Sequence, residues 1–133
     1  MEQKPCVLIV EDDRDLREIE GFLLQSEGYT THLAENGQVA LEILANLHPN
    51  QVPGCILLDI MMPVMDGLAF ARVLLRDHPS DWARIPIIVN SANGSAVSQL
   101  LRLPLVVEAI SKPMEVTQLL GAVRKHCGPG IRE

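Results

Sequence analysis

Residues 55–67 read CILLDIMMPVMDG, in which a short apolar run ends at Asp59 and is followed by a loop. The run CILL at 55–58 contains no polar residue, which is typical of a strand at the centre of a parallel sheet covered on both faces. Beyond the loop, the segment from about Leu68 to Asp77 predicts a helix. This order of strand, loop and helix indicates one unit of an α/β fold.

Apolar runs of similar length recur on both sides of this unit, and each is followed by a longer stretch with helical periodicity. That alternation is expected when parallel strands are joined by crossover helices. We therefore predict a doubly wound α/β fold with five parallel strands and five helices. The predicted strands are residues 6–10, 29–34, 55–58, 86–89 and 106–110.

The stretches between the strands carry apolar residues at three- and four-residue spacing, as one buried face of a helix does. Gly28 is a natural end for the first helix, and Pro104 must end a short helix at 94–102. The predicted buried positions are Leu16, Ile19 and Leu23 in the first helix, Val39, Ile43 and Leu47 in the second, and Val116, Leu119, Val123 and Cys127 in the last.

A chain of 133 residues with 47% apolar and 21% charged residues is suited to one globular domain. We place its core at about residues 5–127 and interpret 128–133 as a tail or linker. A formal net charge of -6 and a pI near 5.1 disfavour direct contact with nucleic acid or anionic lipid, since both are polyanions. No stretch of about 18 apolar residues is present, so we expect no membrane insertion and a cytoplasmic location.

The three cysteines, Cys6, Cys55 and Cys127, are an odd number and are widely spaced in the chain. They form none of the pairs that are typical of zinc sites or disulfide frameworks. We therefore predict that they are reduced thiols.

Polar side chains that can take part in chemistry follow four of the five predicted strands. Glu11 and Asp12 follow the first strand, Asp59 the third, Ser91 the fourth and Lys112 the fifth. In open parallel sheets, ligands bind beyond the carboxyl ends of the strands, so these side chains can converge there. Three carboxylates without a counter-charge would repel one another, and oxygen ligands favour a hard cation such as Mg²⁺. With a lysine and a hydroxyl nearby, the set predicts a phosphate-handling site.

Four motifs closely resemble those of the receiver domains of response regulators in two-component systems. They are LIVEDD at 8–13, LLDIMMPVMDG at 57–67, VNSA at 89–92 and SKP at 111–113. The resemblance covers nearly the whole chain, with the motifs in the family's order and at typical separations. It implies a flavodoxin-like, CheY-like sheet with strand order 2-1-3-4-5 and a single receiver domain over residues 1–133.

By this resemblance, Asp59 is the phosphoacceptor and, together with Asp12, a direct ligand of Mg²⁺. The backbone carbonyl of Met61 would supply a further oxygen, and Glu11 would act through a metal-bound water. Asp13 holds the third acidic position, which in the family is usually not in direct contact with the metal, and it is kept as a reserve ligand.

The resemblance also implies roles for two further side chains. Lys112 would pair with Asp59 and then with its phosphoryl group, and Ser91 stands where the family has a Thr or Ser hydroxyl that turns inward once phosphate is present. The Lys112-Pro113 bond is often cis in this family.

The partners follow from the same resemblance. The phosphoryl donor would be a sensor histidine kinase or a histidine phosphotransfer protein, and the signal would pass to an unknown downstream protein. The domain would be a signalling module that assists its own phosphorylation and dephosphorylation, and not an enzyme.

Two features depart from the family's pattern. Receivers usually carry Tyr or Phe three residues before the lysine that follows strand five, and this chain has Ala109 there. The usual Gly-Ala turn into that strand is replaced by LRLPL at 101–105, which predicts a shortened or irregular fourth helix. We therefore expect phosphorylation to signal through a different surface rearrangement.

Three rival interpretations differ in what they require. A pseudo-receiver would keep the fold without the chemistry, and the retained acidic, serine and lysine residues count against it. An aspartate-nucleophile phosphatase typically needs a second acid two residues after the nucleophile, where Met61 lies. A flavodoxin-like carrier would need a phosphate-cradling loop after the first strand, where the acidic run EDDRD would repel phosphate. The pseudo-receiver is the main alternative.

Overall fold

The computed structural model describes residues 4–48, 51–60, 62, 65–77, 82–91 and 94–131. Five parallel strands form one sheet in the order β2-β1-β3-β4-β5, which confirms the predicted fold. The strands are β1 Cys6–Val10, β2 Thr30–Ala34, β3 Cys55–Asp59, β4 Ile87–Ser91 and β5 Val106–Ser111. The helices are α1 Arg14–Ser26, α2 Gly37–Asn46, α3 Gly67–Asp77, α4 Gly94–Leu100 and α5 Val116–Cys127, with a short 3-10 helix at Trp82–Arg84. Among the helices of these segments, none is both long and apolar enough to cross a lipid bilayer.

The sheet separates two hydrophobic cores. The larger core lies between the sheet and α2, α3 and α4, and the smaller core lies between the sheet and α1 and α5. Alternate residues of β3 enter each core, with Ile56 and Leu58 in the larger core and Cys55 and Leu57 in the smaller one. Every residue of β3 is buried. This position between two helical layers explains the absence of polar residues at 55–58.

Helix α1 presents a different face to the sheet from the predicted one. Its buried residues are Glu20, Gly21 and Leu24, whereas Ile19 is 56% exposed. The prediction that Ile19 is buried was wrong, because α1 approaches the edge strand β2 through Gly21. A Cβ atom at Gly21 would lie only 3.2 Å from a methyl carbon of Leu33.

The other predicted core positions of the helices had mixed outcomes. Leu119 and Val123 of α5 are buried. Val116 is 47% exposed, so its predicted burial was wrong. It is the first residue of α5 and directly follows the loop before the helix. The half-buried positions are Leu16, Leu23, Val39, Ile43, Leu47 and Cys127.

Local side-chain and backbone signals define the ends of the first two helices. The Asp13 side chain accepts a hydrogen bond from the backbone N–H of Leu16 at the start of α1. Asn36 does the same for Val39 at the start of α2. After α1, Gly28 has a φ of +93°, a left-handed conformation that favours glycine.

Strand β4 continues two residues beyond its predicted end at Val89, as far as Ser91. Asn90 pairs with Asp59 of β3, and Ser91 pairs with Ser111 of β5. Both residues added to the strand are buried and polar. Because Asn90 and Ser91 are polar, the sequence predicts that β4 ends at Val89. Their burial at the carboxyl edge places them beside the candidate site.

The fourth helix is short, as predicted, and ends at Leu100, before the predicted end at residue 102. The chain then turns, and β5 begins at Val106. The pairing of β4 with β5 is irregular between Ile87 and Ile88.

The segment at residues 128–131 packs on the turn between α1 and β2. Ile131 N donates a hydrogen bond to Gly28 O at 2.9 Å, and the Tyr29 hydroxyl donates one to Gly128 O at 2.5 Å. A Cβ atom at Gly28 would lie 2.5 Å from the backbone of Ile131, so this contact also requires glycine. Gly128 and Ile131 are therefore in contact with the folded core.

Candidate functional site

Four strand ends bring predicted site residues to one edge of the sheet. Asp59 and Ser91 are the last residues of β3 and β4, and Glu11 and Lys112 directly follow β1 and β5. The register keeps these ends level, because Asp59 pairs with Asn90 of the adjacent strand. The site therefore lies at the carboxyl edge, where open α/β sheets bind ligands.

Glu11, Asp12 and Asp59 form an acidic cluster, in which one carboxylate oxygen from each residue lies within 4.8 Å of the other two. Glu11 is 1% exposed and Asp59 is 4% exposed, whereas Asp12 is open to solvent. The cluster thus offers a set of carboxylate oxygens to a cation, and it is open to solvent on the side of Asp12. Mg²⁺ prefers oxygen ligands and usually keeps several waters, so the donor set fits this ion.

The Lys112 ammonium lies between two carboxylates of the acidic cluster. Lys112 Nζ is 3.2 Å from Glu11 Oε1 and 3.3 Å from Asp59 Oδ1. The Lys112 side chain is 26% exposed, so its ammonium can also meet an anion that enters from solvent. A cation is therefore held in direct contact with the predicted phosphoacceptor.

Burial and mutual repulsion alter the protonation of these groups. Burial, together with a hydrogen bond and repulsion from Asp59, raises the pKa of Glu11 to about 8. Burial also raises the pKa of Asp59. Burial opposes ionisation of Asp12 as well, but hydrogen bonds with Asp59 and Glu11 outweigh it and lower the pKa of Asp12. Glu11 and Asp59 therefore hold a proton more readily than ordinary carboxyl groups do, and a divalent cation among them would favour their ionised forms.

Helix α1 holds the turn that carries Glu11 and Asp12. Arg17 Nη1 donates hydrogen bonds to the backbone oxygens of Glu11 at 2.8 Å and Asp12 at 3.4 Å. Asp13 N donates to Glu11 Oε2 at 3.2 Å, and the Asp13 carboxylate accepts from Leu16 N at 3.1 Å. The reserve ligand Asp13 therefore lies outside the acidic cluster and caps α1. Sequence reasoning missed Arg17, because no motif spacing marks a helix residue that bonds to backbone oxygens.

Gly67 closes the loop that follows β3. Gly67 N donates to Ile60 O at 2.9 Å. A Cβ atom at Gly67 would lie 2.9 Å from Ile60 Cα and 3.0 Å from Asp59 O. The return of the chain past Asp59 therefore requires glycine at this position. Met61, predicted to supply a backbone oxygen to Mg²⁺, lies outside the described residues.

Ser91 and Lys112 are linked through the backbone at the carboxyl edge. Lys112 N donates to Ser91 O at 3.2 Å, and Ser91 is 4% exposed. The Lys112-Pro113 peptide bond is cis, as predicted. Ala109 lies exposed in β5, paired with Val89, so this position of the strand presents no aromatic ring.

The comparison with protein families identifies the domain. The family model described as "Response regulator receiver domain" matches residues 7–124. This chain belongs to the response regulator receiver family. It is therefore a signalling domain of the kind found in two-component systems, and its acidic cluster occupies the expected edge of a receiver fold.

Individual relatives of the receiver agree with this assignment. The response regulator MprA of Mycobacterium sp. (strain KMS) is 35% identical over 119 residues, covering 89% of this chain and 48% of that protein. The receiver spans about half the length of the curated relatives it matches.

Two solved structures show the same fold. The signal receiver domain of a signal transduction histidine kinase from Syntrophus aciditrophicus has a TM-score of 0.78 and 29% identity, covering 92% of this chain and 89% of that one. A response regulator receiver protein from Pseudomonas putida has a TM-score of 0.81 and 27% identity, covering 94% of this chain and 99% of that one.

Proposed function

We propose that this receiver takes a phosphoryl group onto Asp59 from a histidine of a sensor histidine kinase or a histidine phosphotransfer protein, in a Mg²⁺-dependent reaction. The observation that carries the proposal is the position of Lys112 Nζ, 3.3 Å from Asp59 Oδ1, inside a cluster of three carboxylates. Asp59 thus has both a paired cation and neighbouring acidic side chains, a combination that an isolated aspartate on the protein surface lacks. Membership of the receiver family supports the same reaction.

Phosphoryl transfer depends mainly on positioning and on stabilisation of charge. A carboxylate oxygen of Asp59 attacks phosphorus, the bond from phosphorus to the donor imidazole nitrogen breaks, and an acyl phosphate forms on Asp59. Lys112 pairs with the phosphoryl oxygens, and the Ser91 hydroxyl donates a hydrogen bond to one of them. Hydrolysis of the acyl phosphate later returns the domain to its starting state.

We assign Mg²⁺ to carboxylate oxygens of Asp12 and Asp59, with Glu11 acting through a bound water and the backbone carbonyl of Met61 as a further ligand. When bound, Mg²⁺ neutralises charge on the transferring group. Asp13 stays a reserve ligand, although its carboxylate caps α1.

The proposed output partner is a protein. A net charge of -6 opposes direct contact between this domain and nucleic acid. The SphR protein of Synechococcus elongatus is named a transcriptional regulatory protein, and this chain matches 47% of its length. In a longer protein of that kind, we infer that DNA contact would be made by another domain. We place the domain in the cytoplasm, where free thiols such as its three cysteines persist.

Intact-protein mass spectrometry after incubation with acetyl phosphate tests the proposal. We expect a gain of one phosphoryl mass in the wild type with Mg²⁺, and no gain with EDTA or in Asp59→Asn. Asp15→Asn, which removes an exposed carboxylate of α1, should behave as the wild type does. Absence of a mass gain in a folded wild type would contradict the proposal and favour a pseudo-receiver that acts only as a binding module.

A further inference from the structure

Helix α1 buries a carboxylic acid on the face that it turns toward the sheet. Glu20 is 2% exposed, and its neighbours on the same helix face are Gly21 and Leu24. Its atom Oε2 has no hydrogen-bond partner among the residues that the structure describes. A buried carboxyl oxygen without a partner is costly, so Glu20 Oε2 calls for a compensating interaction.

Glu20 lies on the same side of the sheet as the groups of the candidate site. Leu24, one turn further along α1, belongs to the smaller core together with Leu57 and Ile110. Asp59 follows Leu57 by two positions, and alternate residues of a strand face the same side. Lys112, the residue after β5, reaches the same side because its Nζ lies 3.3 Å from Asp59 Oδ1. The side chains of Glu20, Asp59 and Lys112 therefore share one layer of the molecule.

A second buried acceptor lies in this layer. Asn90 is 1% exposed and follows Ile88 of the smaller core by two positions. In the described part of the chain, Asn90 Oδ1 also has no hydrogen-bond partner. Asn90 lines a cavity together with Leu16, Lys112, Pro113 and Met114. Leu16 of this cavity lies one helical turn before Glu20 on the same face of α1.

The charges that act on Glu20 are those of the candidate site. Burial raises the pKa of Glu20 to about 7; the Lys112 ammonium opposes this rise, and the Asp59 carboxylate adds to it. The Lys112 ammonium therefore interacts electrostatically with Glu20, in addition to its ion pairs with Glu11 and Asp59. Its ammonium has three N–H donors, and the two carboxylates at the edge lie at 3.2 and 3.3 Å.

We propose that Glu20 is a positioning residue that holds the Lys112 ammonium when a divalent cation takes over the carboxylates of Glu11 and Asp59. This inference rests on the metal site of the proposed function. A cation at that site cancels the charge that attracts Lys112 at the edge. The Glu20 carboxylate remains as an anion that compensates the Lys112 ammonium. Displacing the ammonium from Glu11 and Asp59 is therefore less costly.

The Mg²⁺ dissociation constant, measured by titration calorimetry at about pH 8, tests this coupling in a double-mutant cycle. The four proteins are the wild type, Glu20→Gln, Lys112→Met and the double variant. We expect Glu20→Gln to weaken Mg²⁺ binding about fivefold when Lys112 is present and by less than about twofold in the Lys112→Met background. Glu18→Gln removes an exposed charge of the same helix and should leave the constant unchanged.

An equal effect of Glu20→Gln in both backgrounds would overturn the inference, because Glu20 would then act only as a distant charge. Circular dichroism checks that each variant folds, and Glu20→Met provides a second neutral replacement if Gln disturbs the packing. A wild type that does not bind Mg²⁺ would instead overturn the metal site itself, and the inference with it.

Discussion

At the scale of single residues, the carboxyl edge holds more buried acid than Lys112 alone can balance. Glu11, Asp59 and Glu20 are all nearly inaccessible to water. Burial raises the pKa of Glu11 and of Glu20, to about 8 and about 7. The site thus stores unfavourable electrostatic energy that a cation or a proton relieves.

Replacement of Glu20 by Gln should stabilise the domain more at about pH 8 than at about pH 4.5. Since burial raises the pKa of Glu20 to about 7, the folded state binds this proton more tightly than the unfolded state does. The resulting cost is absent below the ordinary glutamate pKa and complete above the raised one. The difference in free energy of unfolding between variant and wild type should grow by roughly 3 kcal/mol over this interval. Urea denaturation at both pH values measures it, and a constant difference would show that Glu20 does not titrate in this range.

At the scale of elements, the start of α1 joins a stability signal to the candidate site. Asp13 caps the helix through Leu16 N, and its own N–H holds the Glu11 carboxylate. The second of these bonds uses the backbone, so it survives a change of side chain. Loss of the cap and loss of a metal ligand can therefore be told apart.

Asp13→Ala should cost about 1 kcal/mol of stability through the lost cap. Asp13→Asn, which can still accept the bond from Leu16 N, should lose much less. Thermal denaturation of the two variants measures this difference. Because the Asp13 carboxylate lies outside the acidic cluster, Mg²⁺ affinity should change little in either variant. A loss of affinity with unchanged stability would instead identify Asp13 as a ligand.

Strand β5 and helix α4 should respond weakly to phosphorylation. Ala109 has no ring to move between exposed and buried positions, and α4 ends at Leu100. We expect beryllofluoride, which mimics the phosphoryl group, to shift amide NMR signals around Asp59, Ser91 and Lys112 and to leave those of α4 and the middle of β5 nearly unchanged. A large concerted shift of α4 and β5 would contradict this expectation.

The sequence predicted the strands better than the faces of the helices. Apolar runs locate β1 and β3 because a buried parallel strand excludes polar residues. The same criterion predicted an end of β4 at Val89, too early by two residues, because the buried residues Asn90 and Ser91 are polar. Helical spacing alone selected Ile19 for the core, but the close approach of α1 to β2 is made through Gly21. Tertiary packing, and not local periodicity, decides such faces.

At the scale of the whole molecule, the two edges of the sheet carry different chemistry. The sequence located the site residues of the carboxyl edge because each of them follows a predicted strand, and open α/β sheets bind ligands at the carboxyl ends of their strands. At the amino edge, Cys127 forms side-chain hydrogen bonds with Cys6 O, at 3.6 Å, and with Cys55. The three thiols are free, as predicted, but their proximity could not be inferred from residues so far apart in the chain.

The extent of the domain also belongs to this scale. The sequence predicts a tail or linker at residues 128–133, whereas Gly128 and Ile131 form hydrogen bonds with the turn between α1 and β2. We therefore propose that the domain includes residues 128–131. The carboxyl edge lies at the other end of the sheet from the thiols, so the proposed reaction does not involve them.

Chemical mapping of the phosphorylated residue tests the central claim most directly. Borohydride reduces an acyl phosphate of aspartate to homoserine, which peptide mass spectrometry locates in the chain. After incubation with acetyl phosphate and Mg²⁺, we predict homoserine at position 59, and none when EDTA replaces Mg²⁺. Homoserine at Asp12, Asp13 or another position, or a phosphorylated protein that yields no homoserine, would contradict the assignment of Asp59 as the phosphoacceptor.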